Sequence, residues 1–214
     1  MKTYLLRKTQ LVTSKEKSNK LYKELKIQTL LDLGAGNNPH FHIRENLNIK
    51  SLLVDLFPQT ENENVVKVDV RDSESIEKYL IKSFGERQAD CVVALHLIEH
   101  FEKSESLLLL KQLEQYAKKL IIIETPNGFL KQDALPNNPF QKHLCGYTVQ
   151  ELRSRGYTVT GSTGLKILRN NYDKGSYWGN WVIFHGLDRV FFKLLHFFPR
   201  LSFNLFAYKI VQRS

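Results

Sequence analysis

Cysteine, methionine and tryptophan are scarce in this chain of 214 residues, which holds two, one and two of them. Cys91 and Cys145 cannot build a disulfide framework. Cys91 lies in an apolar run that suits a buried, inert thiol. A reducing, cytoplasmic setting is therefore the expectation. No run reaches the roughly 18 apolar residues of a membrane span. The opening "MKTYLLRKTQLVTSKEKSNK" lacks the apolar core of a secretory signal. Internal repeats and low-complexity tracts are missing as well, so solenoids and disordered arrays are excluded. Acids are sparse at both ends. Residues 1–28 carry +6 and residues 189–214 carry +5, against a total of +9, so the middle is slightly acidic. Basic ends suit an anionic partner such as a lipid surface or a phosphorylated substrate, or they are simply solvated faces.

What the chain does have is 42% hydrophobic residues in an alternating order of elements. A charged amphipathic helix is expected over Ser14–Ile27. Apolar strands are expected at Leu30–Leu33, 51–56, 65–70, 89–97, 119–125, 157–165 and 202–212. Helices are expected at His42–Leu47, Ser73–Ser83 with Ser73 as cap, Ser104–Lys119, Thr148–Arg155 with a Thr148/Glu151 capping box, and Leu187–Phe198. Strands separated by helices mean βαβ units and a mostly parallel sheet covered on both faces. Ligands of such sheets bind beyond the carboxyl ends of the strands.

Polar and flexible groups collect at those ends. Gly34 and Gly36, in "LDLGAGNNPH", permit a sharp turn and close backbone approach to a ligand. Asp55 follows 19 residues after Gly36, a spacing at which an acid can accept hydrogen bonds from a ribose diol. Asp69 is placed to receive an adenine amino group, or else to cap a turn. Together they describe a site for an adenosine-containing cofactor. The third glycine of G-x-G-x-x-G is missing, and Asp32 would repel a phosphate, so a dinucleotide fits less well.

Taken in order, "LDLGAG", "VDLF", "VDVRD", "ADCVVALHLIEHF", "IIIETPNGF" and "HLCGYTVQELRSRGYTV" resemble successive motifs of the class I S-adenosylmethionine-dependent methyltransferases. The subgroup they resemble has Glu-His after strand four and Pro-Asn after strand five. The resemblance covers roughly residues 28–165. It implies an α/β, Rossmann-like sheet of seven strands, parallel except for an antiparallel last strand, with helices on both faces. It also implies S-adenosylmethionine as cofactor. Asp32 with the Gly34-Ala35-Gly36 turn would hold its methionine end. Asp55, with Leu56 beside it, would take the ribose. Asp69 and Val70 would flank the adenine, and Leu95 and His96 would line the sulfonium. His143 is the first candidate for a base, followed by His100 and Glu99.

Two other readings stay open. "HLIEH" matches H-x-x-E-H, so His96 and His100 on one helix could bind zinc with Glu99 as base of a hydrolase. A variant keeps the methyltransferase and places a metal at Glu99, His100 and His143, although no metal is the primary expectation. The third reading is a non-catalytic cofactor-binding module. One domain is expected: a basic helix or lid at 1–28, a cofactor core at 29–168, and an acceptor loop, aromatic helix and last strand at 169–214. Amides and aromatics in 125–147 and 169–185 suit a small glycan-like or lipid-linked acceptor methylated at oxygen. The 187–198 helix and the basic ends offer a peripheral membrane contact. Nucleic acid is not expected as a partner.

Overall fold

The computed structural model describes residues 14–36, 48–58, 65–136, 138–168 and 195–211. The strands are β1 (Thr29–Leu33), β2 (Lys50–Asp55), β3 (Val65–Lys67), β4 (Ala89–Leu95), β5 (Ala117–Pro126), β6 (Thr158–Leu165) and β7 (Ser202–Ile210). The helices are α1 (14–24), α2 (Ser73–Phe84), α3 (Lys103–Tyr116) and α4 (Val149–Ser154). The seven strands form one sheet in the order β3-β2-β1-β4-β5-β7-β6. Pairings from β3 to β5 are parallel, and β7 runs antiparallel to both β5 and β6. That is the architecture the sequence resemblance implies.

The central strands β1, β4 and β5 are mostly apolar because both faces of the sheet are covered. Alternate residues go to opposite sides. Leu31, Val92, Ile121 and Ile123 join the core that contains Ile76, Leu80, Leu110 and Leu152 of α2, α3 and α4. Leu30, Cys91, Val93 and Ile122 face the other way and pack with Leu21 and Tyr22 of α1. The order reverses at β1, which pairs β2 on one side and β4 on the other. A crevice for a ligand is expected past the carboxyl ends of these two strands.

Several boundaries differ from the sequence expectation. Asp72, not Ser73, caps α2, accepting from the Ser75 amide at 3.1 Å. A carboxylate one residue earlier offers the orphan amides the stronger acceptor. Residues 117–119 belong to β5 rather than to the preceding helix. Their lysines look helical in sequence, but Lys118 pairs with Glu86, and Lys119 meets Asp90 at 3.0 Å. β3 stops at Lys67 and β7 at Ile210. The Thr148 capping box forms as expected, with Thr148 Oγ1 accepting from the Glu151 amide at 3.2 Å and the Thr148 amide donating to Glu151 Oε2 at 2.8 Å. The helix expected at His42–Leu47 lies outside the described residues, and so does 187–194 of the aromatic helix. Residues 195–197 are helical, and Phe198 is not.

Candidate active site

β1 delivers the glycine turn. Gly34 and Gly36 have φ of +73° and +59°, left-handed values that side chains resist. The Gly34 and Ala35 amides donate to Val54 O at 2.9 and 3.0 Å, fixing the turn against β2. A Cβ on Gly34 would stand 2.9 Å from Leu97 Cδ1, whereas one on Gly36 would meet none of the described residues within 4 Å. Asp55, at the end of β2, locks this turn: its Oδ2 accepts from the Gly36 amide at 2.8 Å and its Oδ1 from the Phe57 amide at 2.7 Å. The spacing offers Asp55 to a ribose diol; in the structure it also holds the glycine turn.

Asp32 is 0% exposed, in β1 directly before the turn. Its alternation places it on the α1 face with Tyr22 and Cys91. Burial pushes the Tyr22 hydroxyl and the Cys91 thiol up, and the Asp32 charge adds to both shifts. A buried carboxylate beneath an open glycine turn is suited to a cationic ligand group and unsuited to a phosphate. Asp69 takes the turn-capping alternative, accepting the Arg71 amide at 2.9 Å. Its carboxylate is forked onto Arg71, with Arg71 Nη2 at 2.6 Å and Nε at 3.0 Å, and that hydrogen bonding holds its pKa below the usual range. An adenine amino group would have to share it. Val70 and Leu95 are buried, in the cores on opposite faces of the sheet, and Leu56 is half-buried.

Past β4 the chain turns abruptly. His96 takes φ +52°, and its amide donates to Glu124 O at 2.7 Å. Ile98–His100 follows as one 3-10 turn. The H-x-x-E-H spacing therefore never becomes a zinc pair on one α-helical face, because His96 ends a strand. Its Nδ1 instead meets Glu99 Oε1 at 3.1 Å. Glu99 is 1% exposed, and Thr125 Oγ1 donates to its second oxygen at 3.1 Å. Burial works to raise the Glu99 carboxyl, but the His96 hydrogen bond and the charges of His96, His100 and His143 outweigh it and hold it low.

His143 comes from 43 residues further on, yet reaches the same place. It is 4% exposed, not a surface-loop side chain, and burial holds its pKa down. The Leu144 and Cys145 amides donate to Glu99 O at 2.8 and 3.2 Å, pinning the segment. The rings of His100 and His143 stand edge to face, 4.9 Å between centroids. Glu99, His100 and His143 each offer a ligand atom, all within 4.8 Å of one another. The three residues expected to be catalytic are thus brought together, with His96 in contact with Glu99.

No family model matches the chain, and neither does any curated protein. Solved structures do match. TehB from Haemophilus influenzae superposes with a TM-score of 0.53 at 10% identity, over 92% of this chain and 62% of that one. The small RNA methyltransferase HEN1 gives 0.52 at 14%, over 94% and 26%. The 1,6-didemethyltoxoflavin-N1-methyltransferase of Burkholderia thailandensis, solved with S-adenosylhomocysteine, gives 0.50 at 15%, over 92% and 76%. The chain has the class I methyltransferase fold. It spans about a quarter of HEN1 and under two thirds of TehB. One of these methyltransferases is named for RNA and another for a small heterocycle, so the shared fold does not exclude a nucleic-acid partner.

Within this methyltransferase fold, sequence reading missed Glu124 and overrated Asn127. Glu124 is 6% exposed, 4.0 Å from His96 Nε2, and accepts from Ser162 Oγ at 2.6 Å. Burial raises its carboxyl. An acid ending the run Ile-Ile-Ile was the available signal. Asn127, expected in the acceptor pocket, spends its amide on the carbonyls of Pro199, Arg200 and Ser202 and ties β5 to the start of β7. Tyr147 is likewise core, its hydroxyl donating to Ser106 at 2.8 Å.

Proposed function

We propose that the protein is an S-adenosylmethionine-dependent methyltransferase that methylates a hydroxyl oxygen of a small acceptor. The observation that carries this is the convergence of Asp32, the Gly34–Gly36 turn and Asp55 at the sheet's switch point, on a methyltransferase fold. S-adenosylmethionine, when bound, supplies an electrophilic methyl group whose C–S bond breaks as the acceptor's O–C bond forms. The hydroxyl proton is released to solvent, so atoms and charge balance.

The chain's own residues do the rest. Asp32 attracts the cationic amine of the methionine end. Gly36 leaves room for the ligand over the turn. Asp55 has a second lone pair on each oxygen for the ribose hydroxyls. Val70 and Leu95 supply apolar wall. Glu99, His100 and His143 hold the acceptor, and orientation in line with the methyl supplies much of the rate. Phe197, 77% exposed, with Phe198 and Leu201 beside it, gives an apolar surface for a lipid-linked or glycan-like acceptor. Among the described residues, no helix is long and apolar enough to cross a membrane.

Calorimetric titration with S-adenosylmethionine and with NAD tests the reading. Micromolar binding of the first alone is expected. Binding of NAD alone, or of neither, would overturn it.

A further inference from the structure

The cluster past β4 has more order than an acceptor contact needs. His100 Nδ1 lies 3.1 Å from Lys142 O, and His143 Nδ1 lies 2.8 Å from Leu130 O. A carbonyl can only accept, so each Nδ1 carries the proton and each Nε2 presents a lone pair. Glu99 is braced through both oxygens, by His96 at 3.1 Å and Thr125 at 3.1 Å. The backbone is braced too: the His143 amide donates to Gln132 O at 3.0 Å. Imidazoles oriented by backbone carbonyls, beside a carboxylate that is itself hydrogen-bonded, are the supporting arrangement that metal ligands require.

We propose that Glu99, His100 and His143 bind one divalent first-row transition ion. Two imidazole nitrogens and one carboxylate oxygen favour zinc, cobalt or manganese over magnesium or calcium, which prefer all-oxygen sites. A tetrahedral ion about 2.0–2.2 Å from each ligand sets the ligand atoms about 3.4 Å apart. The present spread reaches no more than 4.8 Å, so the side chains close inward by about an ångström or less on binding. The ion also offsets the cost of burying the Glu99 charge. Three protein ligands leave a coordination position open. An acceptor oxygen fills it, and bound there it loses its proton at lower pH. That last step rests on the methyltransferase reading; the metal site itself does not.

The test uses the full chain without an affinity tag, stripped by chelator. Cobalt(II) is titrated while its visible absorption is followed, zinc is titrated by calorimetry, and S-adenosylmethionine is titrated separately. One equivalent of metal, a higher Tm with metal, and a drop of more than about 100-fold in metal affinity in Glu99→Gln and His143→Ala are expected, since even a supporting partner is worth about 10–100-fold. His143 is buried, so His100→Ala, at a more open position, is the second variant. Folded wild type that takes up no metal overturns the inference, as does uptake that His100→Ala leaves unchanged. A chain that binds S-adenosylmethionine but takes up no added metal sinks the metal site alone, and one that takes up metal but does not bind S-adenosylmethionine sinks the methyltransferase reading alone.

Discussion

Replacing Asp55 with alanine separates what this carboxylate does for the fold from what it does for a ligand. Each oxygen already accepts one backbone amide, from Gly36 at 2.8 Å and Phe57 at 2.7 Å. Each keeps one further lone pair, enough for two ribose hydroxyls. A hydrogen bond to a charged group contributes about 1.5–3 kcal/mol net, so two lost bonds cost about 3–6 kcal/mol of binding. That corresponds to affinity weaker by about 100- to 20,000-fold. The two orphaned amides cost the fold separately, about 1–2 kcal/mol in stability. Calorimetry reads the first quantity and a thermal melt the second. A 2′,3′-dideoxy analogue of S-adenosylhomocysteine completes a double cycle. Wild type should bind it far more weakly than S-adenosylhomocysteine, whereas Asp55→Ala should scarcely distinguish the two. If folded Asp55→Ala still discriminates against the dideoxy ligand as wild type does, the ribose is held elsewhere and the assignment is wrong.

Three further substitutions probe the scaffold. Asp90 accepts the Gln28 amide at 2.8 Å and faces Lys119 at 3.0 Å; burial works to raise its pKa, but these contacts outweigh it and hold it low. A group lowered in the folded state stabilises above its unfolded pKa near 3.9, and that contribution fades as pH falls through the folded value. Asp90→Asn should thus cost about 1–2 kcal/mol at pH 7, with the gap to wild type narrowing as pH falls below the unfolded value near 3.9; a gap that ignores pH in thermal melts would refute it. Gly146→Ala should cost about 1–3 kcal/mol or more, because its Cβ would meet Phe129 N at 2.3 Å and Gly128 C at 2.5 Å, backbone that cannot swing aside. An unchanged Tm would show that the 128–129 and 146 segments are not packed as described. Thr148→Ala removes the capping box of α4 and should cost about 1 kcal/mol in chemical denaturation.

The sheet was legible because strand periodicity and strand-end chemistry are local. Glycine, acid or histidine ended or followed each of the four parallel strands β1 to β4, and parallel pairing sets those ends along one edge. The Gly36–Asp55 contact arises because a parallel β1–β2 pair brings their ends together. Boundaries failed where charge misleads. Lys118 and Lys119 read as the end of a helix, since partners as distant as Glu86 and Asp90 leave no trace in a local window. For Asp69 the sequence offers an adenine contact or a turn cap; the Arg71 amide on its Oδ1 at 2.9 Å realises the cap, and the Arg71 guanidinium adds a partner that the spacing does not suggest. The meeting of His143 with Glu99 is beyond any spacing rule. It depends on how the 138–147 segment folds back, held by the Glu99 carbonyl and by Gly146 against Phe129.

The position of β7 bears on how the protein is made. Its residues fill the gap between β5 and β6, yet they follow both in the chain. A ribosome adding about 5–20 residues per second needs about 2–7 seconds to get from the end of β6 to the start of β7. Through that interval the Ile121-Ile122-Ile123 run of β5 stands at a bare sheet edge. Nascent chains on crowded polysomes could pair there with one another before their own last strand arrives. Yield in the cell should accordingly depend on translation speed and chaperone supply more than on the melting temperature of the finished protein.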